Sequence, residues 1–286
     1  MDKILNGKIL ADKLNLELKA TINEIVKKIE IRPKLVTILV GEDPASKVYM
    51  NIKHKTCTQV GIESSQINLS EDITKSELLN EIEKLNKDTN IHGILLQLPL
   101  PMRFRDFTSQ FIEKISPFKD VDGFHPVNRG KLFDYEEELA PCTPKGIIAL
   151  LEHYNVEIKG KDVTIINRSN LIGKPLIFML LKRNATPSIC HTSTKDIDRY
   201  IKQADILIVA VSHPSFITED KIKKDVIIVD VGINRVEGKL VGDVDFEGVF
   251  EKCGAITPVP GGVGPMTVSY LLRNTFTAFK KQLNIN

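Results

Sequence analysis

The stretch "TIINRSNLIGKPL", residues 164–176, decides how the second half of the chain folds. It passes from β-branched residues through a short polar loop into an apolar run, which predicts a strand, a tight turn and a helix. That order is typical of a phosphate-binding turn. The usual G-x-G-x-x-G is missing, and the loop opens on Asn167 where a glycine is expected. Whether the loop binds a dinucleotide, and which one, depends on the rest of the chain.

Strands and helices alternate on both sides of this turn. In the second half we predict strands at 162–167, 187–190, 205–211 and 226–232 and helices at 143–154 and 174–182. In the first half we predict helices at 13–30, 45–60 and 74–88 and strands at 35–40, 63–68 and 93–98. This alternation predicts an α/β protein of two domains, each with a mostly parallel sheet flanked by helices, the second Rossmann-like. The apolar stripe of the last helix must be buried, and we expect it to pack back on the first domain.

Length and composition exclude several classes of protein. The 286 residues suffice for about two domains. We expect the first domain to comprise residues 1–138, completed by the C-terminal helix 267–286, and the second, Rossmann-like domain to comprise residues 139–266. A net charge of +2 gives no electrostatic reason to expect nucleic acid as a partner. No apolar run is long enough to span a membrane and no signal-peptide core is visible, so we expect a cytoplasmic protein. Four scattered cysteines indicate reduced thiols, and the histidine spacing predicts no metal site.

Two features of the first half suggest a polar site. Tyr49 and Lys53 are four residues apart, so on a helix they share one face. A lysine there can act in catalysis, although an amphipathic surface helix explains the same spacing. Gln97 ends a buried strand, where α/β proteins bind ligands, and a glutamine that bonds only to a loop is the alternative.

Two loops add further candidates. "PFKDVDGFHP", residues 117–126, places Asp120 and Asp122 beside a glycine turn. Either acid can form an Asx turn, or pair with an amino-heterocycle through two hydrogen bonds. "TPVPGGVGPMT", residues 257–267, allows the backbone to approach a flat ligand closely, with a plain hinge as the alternative.

Together these motifs resemble the bifunctional methylenetetrahydrofolate dehydrogenase/methenyltetrahydrofolate cyclohydrolase family, in its short, two-activity form. The resemblance covers essentially the whole chain. It is carried by Tyr49-x-x-x-Lys53, Gln97 to Pro101, Asp120 to Gly123, Pro141 to Pro144, Arg168-Ser169, Gly173 to Pro175, Gly232 to Asn234 and the block Pro258 to Thr267.

The resemblance implies an enzyme that oxidises 5,10-methylenetetrahydrofolate and hydrates the product to 10-formyltetrahydrofolate in one cleft between its domains. It implies that Lys53 is the catalytic lysine, that Tyr49 stacks on the folate and that Gln97 supports the lysine. Asp122 matches the acid that holds the pterin amino edge. The remaining substrate contacts implied are Leu96, Leu98, Pro260, Gly261, Gly262, Val263 and Gly264. A homodimer is implied as well.

The cofactor implied is NADP. NAD-specific sites place an acid about 20 residues beyond the glycine loop, but here no acid follows until Asp196. Arg168 can reach a 2′-phosphate through a charged fork, although it can also bond to a carbonyl or a surface acid. The nucleotide-binding residues implied by the resemblance are Asn167, Arg168, Ser169, Thr192 and, through its backbone, Ile233.

Two departures from the family lie on the cofactor side. Asn167 replaces a glycine, and we expect it to adopt the left-handed backbone that asparagine tolerates, so that Asn167→Gly is neutral or mildly activating. Ser212-His213 replaces the Gly-Lys often found after the strand 206–211. These departures leave open a member that keeps the cyclohydrolase with weak or lost dehydrogenase activity. A non-catalytic folate-binding protein is the other alternative.

Overall fold

A computed structural model of the chain describes residues 2–285. They form two compact units, each named here after its main sheet. The three-stranded unit comprises residues 13–131, 138–142 and 271–285, and the five-stranded unit comprises residues 2–12, 132–137 and 143–270.

The helices and strands alternate along the described chain as the α/β pattern predicts. The helices are α1 Gly7–Ile29, α2 Pro44–Val60, α3 Lys75–Lys87, α4 Thr108–Lys114, α5 Pro126–Lys131, α6 Cys142–His153, α7 Gly173–Lys182, α8 Ile197–Gln203, α9 Phe246–Phe250 and α10 Val263–Gln282. The strands are β1 Lys34–Val40, β2 Glu63–Leu69, β3 Gly93–Leu96, β4 Asp162–Ile166, β5 Thr186–Cys190, β6 Ile206–Val209, β7 Ile227–Asp230, β8 Asn234–Val236, β9 Lys239–Val241 and β10 Ala255–Ile256. Three short 3₁₀ turns lie at Met102–Phe107, Leu132–Asp134 and Glu219–Lys221.

The three-stranded unit has a parallel sheet in the order β2-β1-β3. Strands β1 and β3 are mostly apolar and buried because helices cover the sheet, whereas strand β2 is mostly polar and only partly buried. One face packs against α3 and the segment that follows β3, in a core formed by Val36, Ile38, Val40, Leu78, Ile82, Leu85, Ile94, Leu96, Phe104 and Phe111. The predicted burial of the last helix is confirmed for its C-terminal half, where Leu271, Leu272 and Phe279 are buried within this unit.

Helix α2 carries the candidate lysine and has clear local signals at both ends. The Asp43 side chain accepts a hydrogen bond from Ser46 N at 2.7 Å, and Pro44 occupies the first turn. Gly61 ends the helix with φ 91°, a left-handed angle that suits glycine. The helix predicted at 45–60 is therefore confirmed, and it begins one residue earlier, at Pro44.

The five-stranded unit has a parallel sheet in the order β5-β4-β6-β7-β10. Its first strand, β4, lies between the next two strands of the chain, β5 and β6. The crossover from β4 to β5 and the crossover from β5 to β6 therefore run in opposite directions across the sheet. Open α/β sheets bind ligands beyond the carboxyl ends of the strands at such a switch point. The Rossmann-like prediction is confirmed, and the switch point lies between β4 and β6.

The units divide the chain differently from the predicted domains at four places: residues 2–12, 132–137 and 267–270 belong to the five-stranded unit, and residues 139–142 belong to the three-stranded unit. Residues 2–12 belong to the five-stranded unit because Leu5 N donates to Ile256 O at 2.9 Å and Ile256 N donates to Lys3 O at 2.8 Å, which ties the N-terminal segment to β10. Residues 132–137 also belong to that unit, where Arg183 forms an ion pair with Glu137 at 2.7 Å. Both links join residues far apart in sequence.

Three general features of the described residues bear on function. The four cysteines, all within residues 2–285, are buried and form no disulfide. No helix within residues 2–285 combines the length and apolar character needed to cross a membrane. In the same residues no group of three or more His, Cys, Asp or Glu side chains is arranged to hold a metal ion.

Candidate active site

Tyr49 and Lys53 lie on one face of α2 in the three-stranded unit. Both side chains are half-buried, whereas Val48 and Ile52, on the neighbouring face, are about half exposed. The helix therefore turns the tyrosine and the lysine toward the protein rather than toward solvent. A plain surface helix with an extended lysine does not account for this arrangement.

Lys53 is held by Gln97. Lys53 Nζ donates to Gln97 Oε1 at 3.1 Å, and Gln97 Nε2 donates to Leu98 O at 2.6 Å. Gln97 is only 8% exposed, directly after β3, and its backbone N–H donates to Ile38 O at 2.9 Å. The amide is thus fixed at the carboxyl end of the sheet with its oxygen directed at the lysine.

The two acids of the 117–126 loop have different roles. The Asp120 carboxylate accepts hydrogen bonds from Phe124 N at 3.1 Å, from His125 N at 2.8 Å and from Asn128 Nδ2 at 2.8 Å, so it forms the turn. Asp122 accepts no hydrogen bond and forms no ion pair within residues 2–285. The structural role falls to Asp120, and the Asp122 carboxylate keeps its acceptor capacity for a ligand.

The surroundings of Asp122 raise its pKa above that of an ordinary aspartate. Burial raises the pKa of Asp122 to about 6, opposed by the positive charge of Lys53 and assisted by the negative charge of Asp120. The carboxyl is therefore electrostatically coupled to Lys53. Lysine, amide and carboxyl form one polar group at the edge of an otherwise apolar core.

The other predicted substrate contacts have varied surroundings. Leu96 is 3% exposed and packs in the core with Ile38, so its side chain is taken up by packing, whereas Leu98 is half-buried. The peptide bonds before Pro99 and Pro260 are cis. The 257–267 loop lies in the five-stranded unit. Of its predicted contacts Pro260 is exposed, Gly261 has φ 108°, Gly262 is buried, and Val263 and Gly264 begin α10.

The left-handed conformation predicted for Asn167 is wrong. Asn167 is absent from the positive-φ residues of the described chain, and its side chain bridges the loop instead. Asn167 Oδ1 accepts from Ser169 N at 2.8 Å and from Gly173 N at 3.1 Å, and Nδ2 donates to Ala210 O at 2.7 Å. Asn167→Gly would remove all three bonds, so we now expect this substitution to loosen the loop rather than to be neutral. Gly173 is needed because a Cβ there would overlap Asn167 O.

In the loop after β4, the side chain of Arg168 is available to bind an anion. The backbone N–H groups of Ile172 and Lys174 already donate to Ser169, at 3.1 Å each. The Arg168 side chain is exposed and has no hydrogen-bond or ion-pair partner among residues 2–285. This loop thus offers a guanidinium rather than free helix amides.

The residues that follow β5 also bear on the predicted preference for NADP. Thr192 is exposed in the turn after β5. Asp196, the first acid beyond it, accepts from Arg199 N at 3.2 Å and so caps α8. Ile233, between β7 and β8, is 46% exposed.

Two buried acids of this unit were not singled out in the sequence. Asp230 and Asp243 are 3% and 0% exposed and accept hydrogen bonds from several loops at the carboxyl ends of β6 and β7. Burial raises the pKa of Asp230 to about 6 despite three backbone donors. No local pattern marks either acid, because most of their partners come from distant segments.

Comparison with known proteins accounts for both halves of the chain. Residues 5–122 match the catalytic domain of tetrahydrofolate dehydrogenase/cyclohydrolase and residues 141–283 match its NAD(P)-binding domain. The bifunctional protein FolD of Sulfurihydrogenibium sp. (strain YO3AOP1) is 51% identical over 98% of each chain. The crystal structure of FolD from Campylobacter jejuni has a TM-score of 0.92 and 48% identity, covering 97% of this chain and 99% of that one. FolD from Trypanosoma brucei, complexed with NADP cofactor and inhibitor, has a TM-score of 0.93 and 33% identity, covering 98% of each chain.

Proposed function

The chain belongs to the tetrahydrofolate dehydrogenase/cyclohydrolase family, and from this membership we propose that it catalyses two consecutive reactions. It oxidises 5,10-methylenetetrahydrofolate by hydride transfer to NADP, and it hydrolyses the resulting 5,10-methenyltetrahydrofolate to 10-formyltetrahydrofolate. The first reaction needs a nucleotide held in register with the folate, and the second needs water and a proton acceptor.

The Lys53–Gln97 pair is the observation that carries this proposal. Hydrolysis adds water to the methenyl carbon and releases a proton, and Lys53 Nζ is the group proposed to handle that proton. Gln97 Oε1, 3.1 Å away, takes up one of the lysine's donor directions and so fixes the amine in place. Tyr49, one turn earlier on the same face, is proposed to stack on the folate ring.

Asp122 is proposed to recognise the pterin. A carboxylate can accept two parallel hydrogen bonds from the amino edge of such a ring, and Asp122 has no acceptor bond within residues 2–285 that would compete. Asp120 maintains the turn that presents it. This division of roles supports folate binding by this loop.

The pKa of Asp122 leads to a prediction about pH. Because its pKa is raised to about 6, the carboxyl gains its proton at a higher pH than an ordinary aspartate. The neutral group accepts poorly on its protonated oxygen, so we expect the KM for methenyltetrahydrofolate to rise as the pH falls through about 6. Measurement of KM from about pH 5 to about pH 8 tests this, and a KM that is flat over this range in the wild type contradicts the assignment.

Arg168 leads to a prediction about the cofactor. We propose NADP over NAD, because the exposed guanidinium suits a 2′-phosphate and the acid that would hold a free 2′-hydroxyl is used to cap α8. Arg168→Ala should raise the KM for NADP by about tenfold or more, because a charged hydrogen bond to the 2′-phosphate is lost. The KM for NAD should change little.

The matched control for Arg168 is Arg199→Ala. Arg199 is an exposed arginine of α8 in the same unit, and its bond to Asp196 uses only its backbone. The control should leave both constants unchanged. Equal use of NAD and NADP by the wild-type protein would overturn the interpretation of Arg168.

A single assay of the wild-type protein tests the function as a whole. The absorbance of methenyltetrahydrofolate is followed with NADP, with NAD and without nucleotide. We expect methenyltetrahydrofolate to form from the methylene compound when NADP is present. We expect added methenyltetrahydrofolate to be hydrolysed when no nucleotide is present. Decay alone identifies a cyclohydrolase that has lost the dehydrogenase, and binding with neither reaction identifies a non-catalytic folate-binding protein.

We also propose a homodimer, which the family resemblance supports, and a location in the cytoplasm, which the four scattered cysteines without disulfides support. Sedimentation velocity of the purified protein tests the first, with a monomer as the contrary result. Fractionation of cells that express the protein tests the second.

A further inference from the structure

Asp243 joins three segments at the carboxyl end of the five-stranded sheet. Its side chain is completely buried and accepts four hydrogen bonds. Three come from consecutive backbone groups after β6, namely Val211 N at 2.6 Å, Ser212 N at 3.0 Å and His213 N at 2.8 Å. The fourth comes from Asn234 Nδ2 at 2.9 Å, on strand β8.

Asp230, at the end of β7, fixes the backbone of Asp243. Asp230 Oδ1 accepts from Asp243 N at 2.9 Å and from Gly232 N at 2.9 Å, and Oδ2 accepts from Val244 N at 2.9 Å. A Cβ on Gly232 would overlap the Asp243 carboxylate, so the segments that carry these two residues approach as closely as glycine permits. The position of Asp243 is therefore set by the sheet itself.

The segment that Asp243 holds borders the switch point of the sheet. Residues 210–213 follow β6, and β6 neighbours β4, whose loop carries Arg168. Asn167 Nδ2 donates to Ala210 O at 2.7 Å, which connects the two loops directly. Ligands of open α/β sheets bind between such loops.

Ser212 shows that this segment depends on its hydrogen bonds. Its φ is 55°, in the left-handed region that residues other than glycine seldom adopt. Its N–H donates to Asp243 Oδ2, and the N–H groups on either side donate to the same carboxylate. The carboxylate therefore offsets the cost of the backbone conformation.

We propose that Asp243 is a positioning residue for the dehydrogenase reaction, holding residues 210–213 in the shape against which the nucleotide binds. This inference rests on the proposed function. The carboxylate contacts neither substrate nor nucleotide, and it acts through the loop. The cyclohydrolase reaction needs no nucleotide, so it is independent of the loop.

Asp243→Asn tests the inference because it keeps the shape of the side chain. The amide retains one acceptor oxygen and turns an NH₂ group toward backbone donors, so part of the set of four bonds is lost. The KM for NADP should rise by about tenfold or more. The kcat/KM for methenyltetrahydrofolate hydrolysis, measured without nucleotide, should stay within about twofold of the wild type, since that reaction does not use the loop.

Amide hydrogen exchange of the nucleotide-free protein gives a second readout. The amides of Val211, Ser212 and His213 should exchange faster in Asp243→Asn, while those of the central strands β4 and β7 keep their protection. Asp245→Asn is the matched control, since Asp245 lies two residues further along and only caps α9 through Gly248 N. It should change neither the KM for NADP nor the exchange of the loop.

Two results would overturn the inference, and a third would refute only the proposed function. An unchanged KM for NADP in Asp243→Asn shows that the loop does not depend on the carboxylate. A loss of hydrolysis as large as the loss of oxidation, with faster exchange throughout the unit, shows a general role in stability. Wild-type protein without NADP-dependent oxidation refutes the proposed function instead, and the exchange measurement still reports whether Asp243 orders the loop.

Discussion

Lys53→Met should abolish most of the cyclohydrolase activity, with an expected fall in kcat of about 10²- to 10⁴-fold, the usual contribution of a positioned acid–base group. Methionine keeps the length and apolar stem of the side chain on α2 but removes Nζ and its bond to Gln97 Oε1. The measurement is the rate of methenyltetrahydrofolate decay without nucleotide, together with the melting temperature. The fold should remain intact, because Lys53 is only half-buried and makes one side-chain bond.

Lys55→Met is the matched control for this experiment. Lys55 lies on the same helix, is exposed and has no side-chain partner within residues 2–285. The control should hydrolyse the substrate at the wild-type rate. Near-normal hydrolysis by Lys53→Met would remove Lys53 from the mechanism, and a loss of stability as large as the loss of activity would make it a structural residue.

Asp122→Ala should weaken folate binding by about 1–3 kcal/mol, the cost of a charged hydrogen bond left unmade, or about 5- to 150-fold. The carboxyl makes no hydrogen bond inside the described chain, so its removal leaves no buried donor unpaired. The dissociation constant of the folate, measured calorimetrically, should rise, and the KM for NADP should stay constant. A change confined to the nucleotide would place the folate pocket elsewhere.

Asp120→Ala provides the contrast for Asp122. Asp120 accepts bonds from two backbone groups and from Asn128, so its removal leaves buried donors without partners. We expect Asp120→Ala to lower the melting temperature and Asp122→Ala to leave it unchanged. If both variants melted early, Asp122 would share the structural role and its loss of binding would not report on the ligand.

Local sequence was sufficient wherever a segment's partners are its neighbours. Strand β1 follows a continuous apolar run and helix α3 follows its apolar periodicity. Helix α2 begins and ends at residues with clear capping preferences. The pairing of Tyr49 with Lys53 follows from helical spacing alone. The two-residue strand β10, the hairpin β8–β9 and helix α8 are too short to generate such a pattern, and the sequence did not predict them.

Side-chain roles that depend on distant partners were decided only by the tertiary structure. Asn167 was expected to be a left-handed turn residue, but its side chain bonds to Ala210, 43 positions away. Turn chemistry alone did not distinguish Asp120 from Asp122, and only the family resemblance favoured Asp122 as the ligand-binding acid. The structure shows that Asp120 forms the turn, where it accepts from Asn128 Nδ2. Nothing in the local sequence of Asp230 or Asp243 marks them as buried hydrogen-bond acceptors. Asp243 accepts from the segment after β6, and Asp230, at the end of β7, accepts from the backbone of Asp243 and Val244. Periodicity records which face of an element is apolar, whereas the partner of a buried polar group is fixed by topology, which brings together residues that lie far apart in the chain.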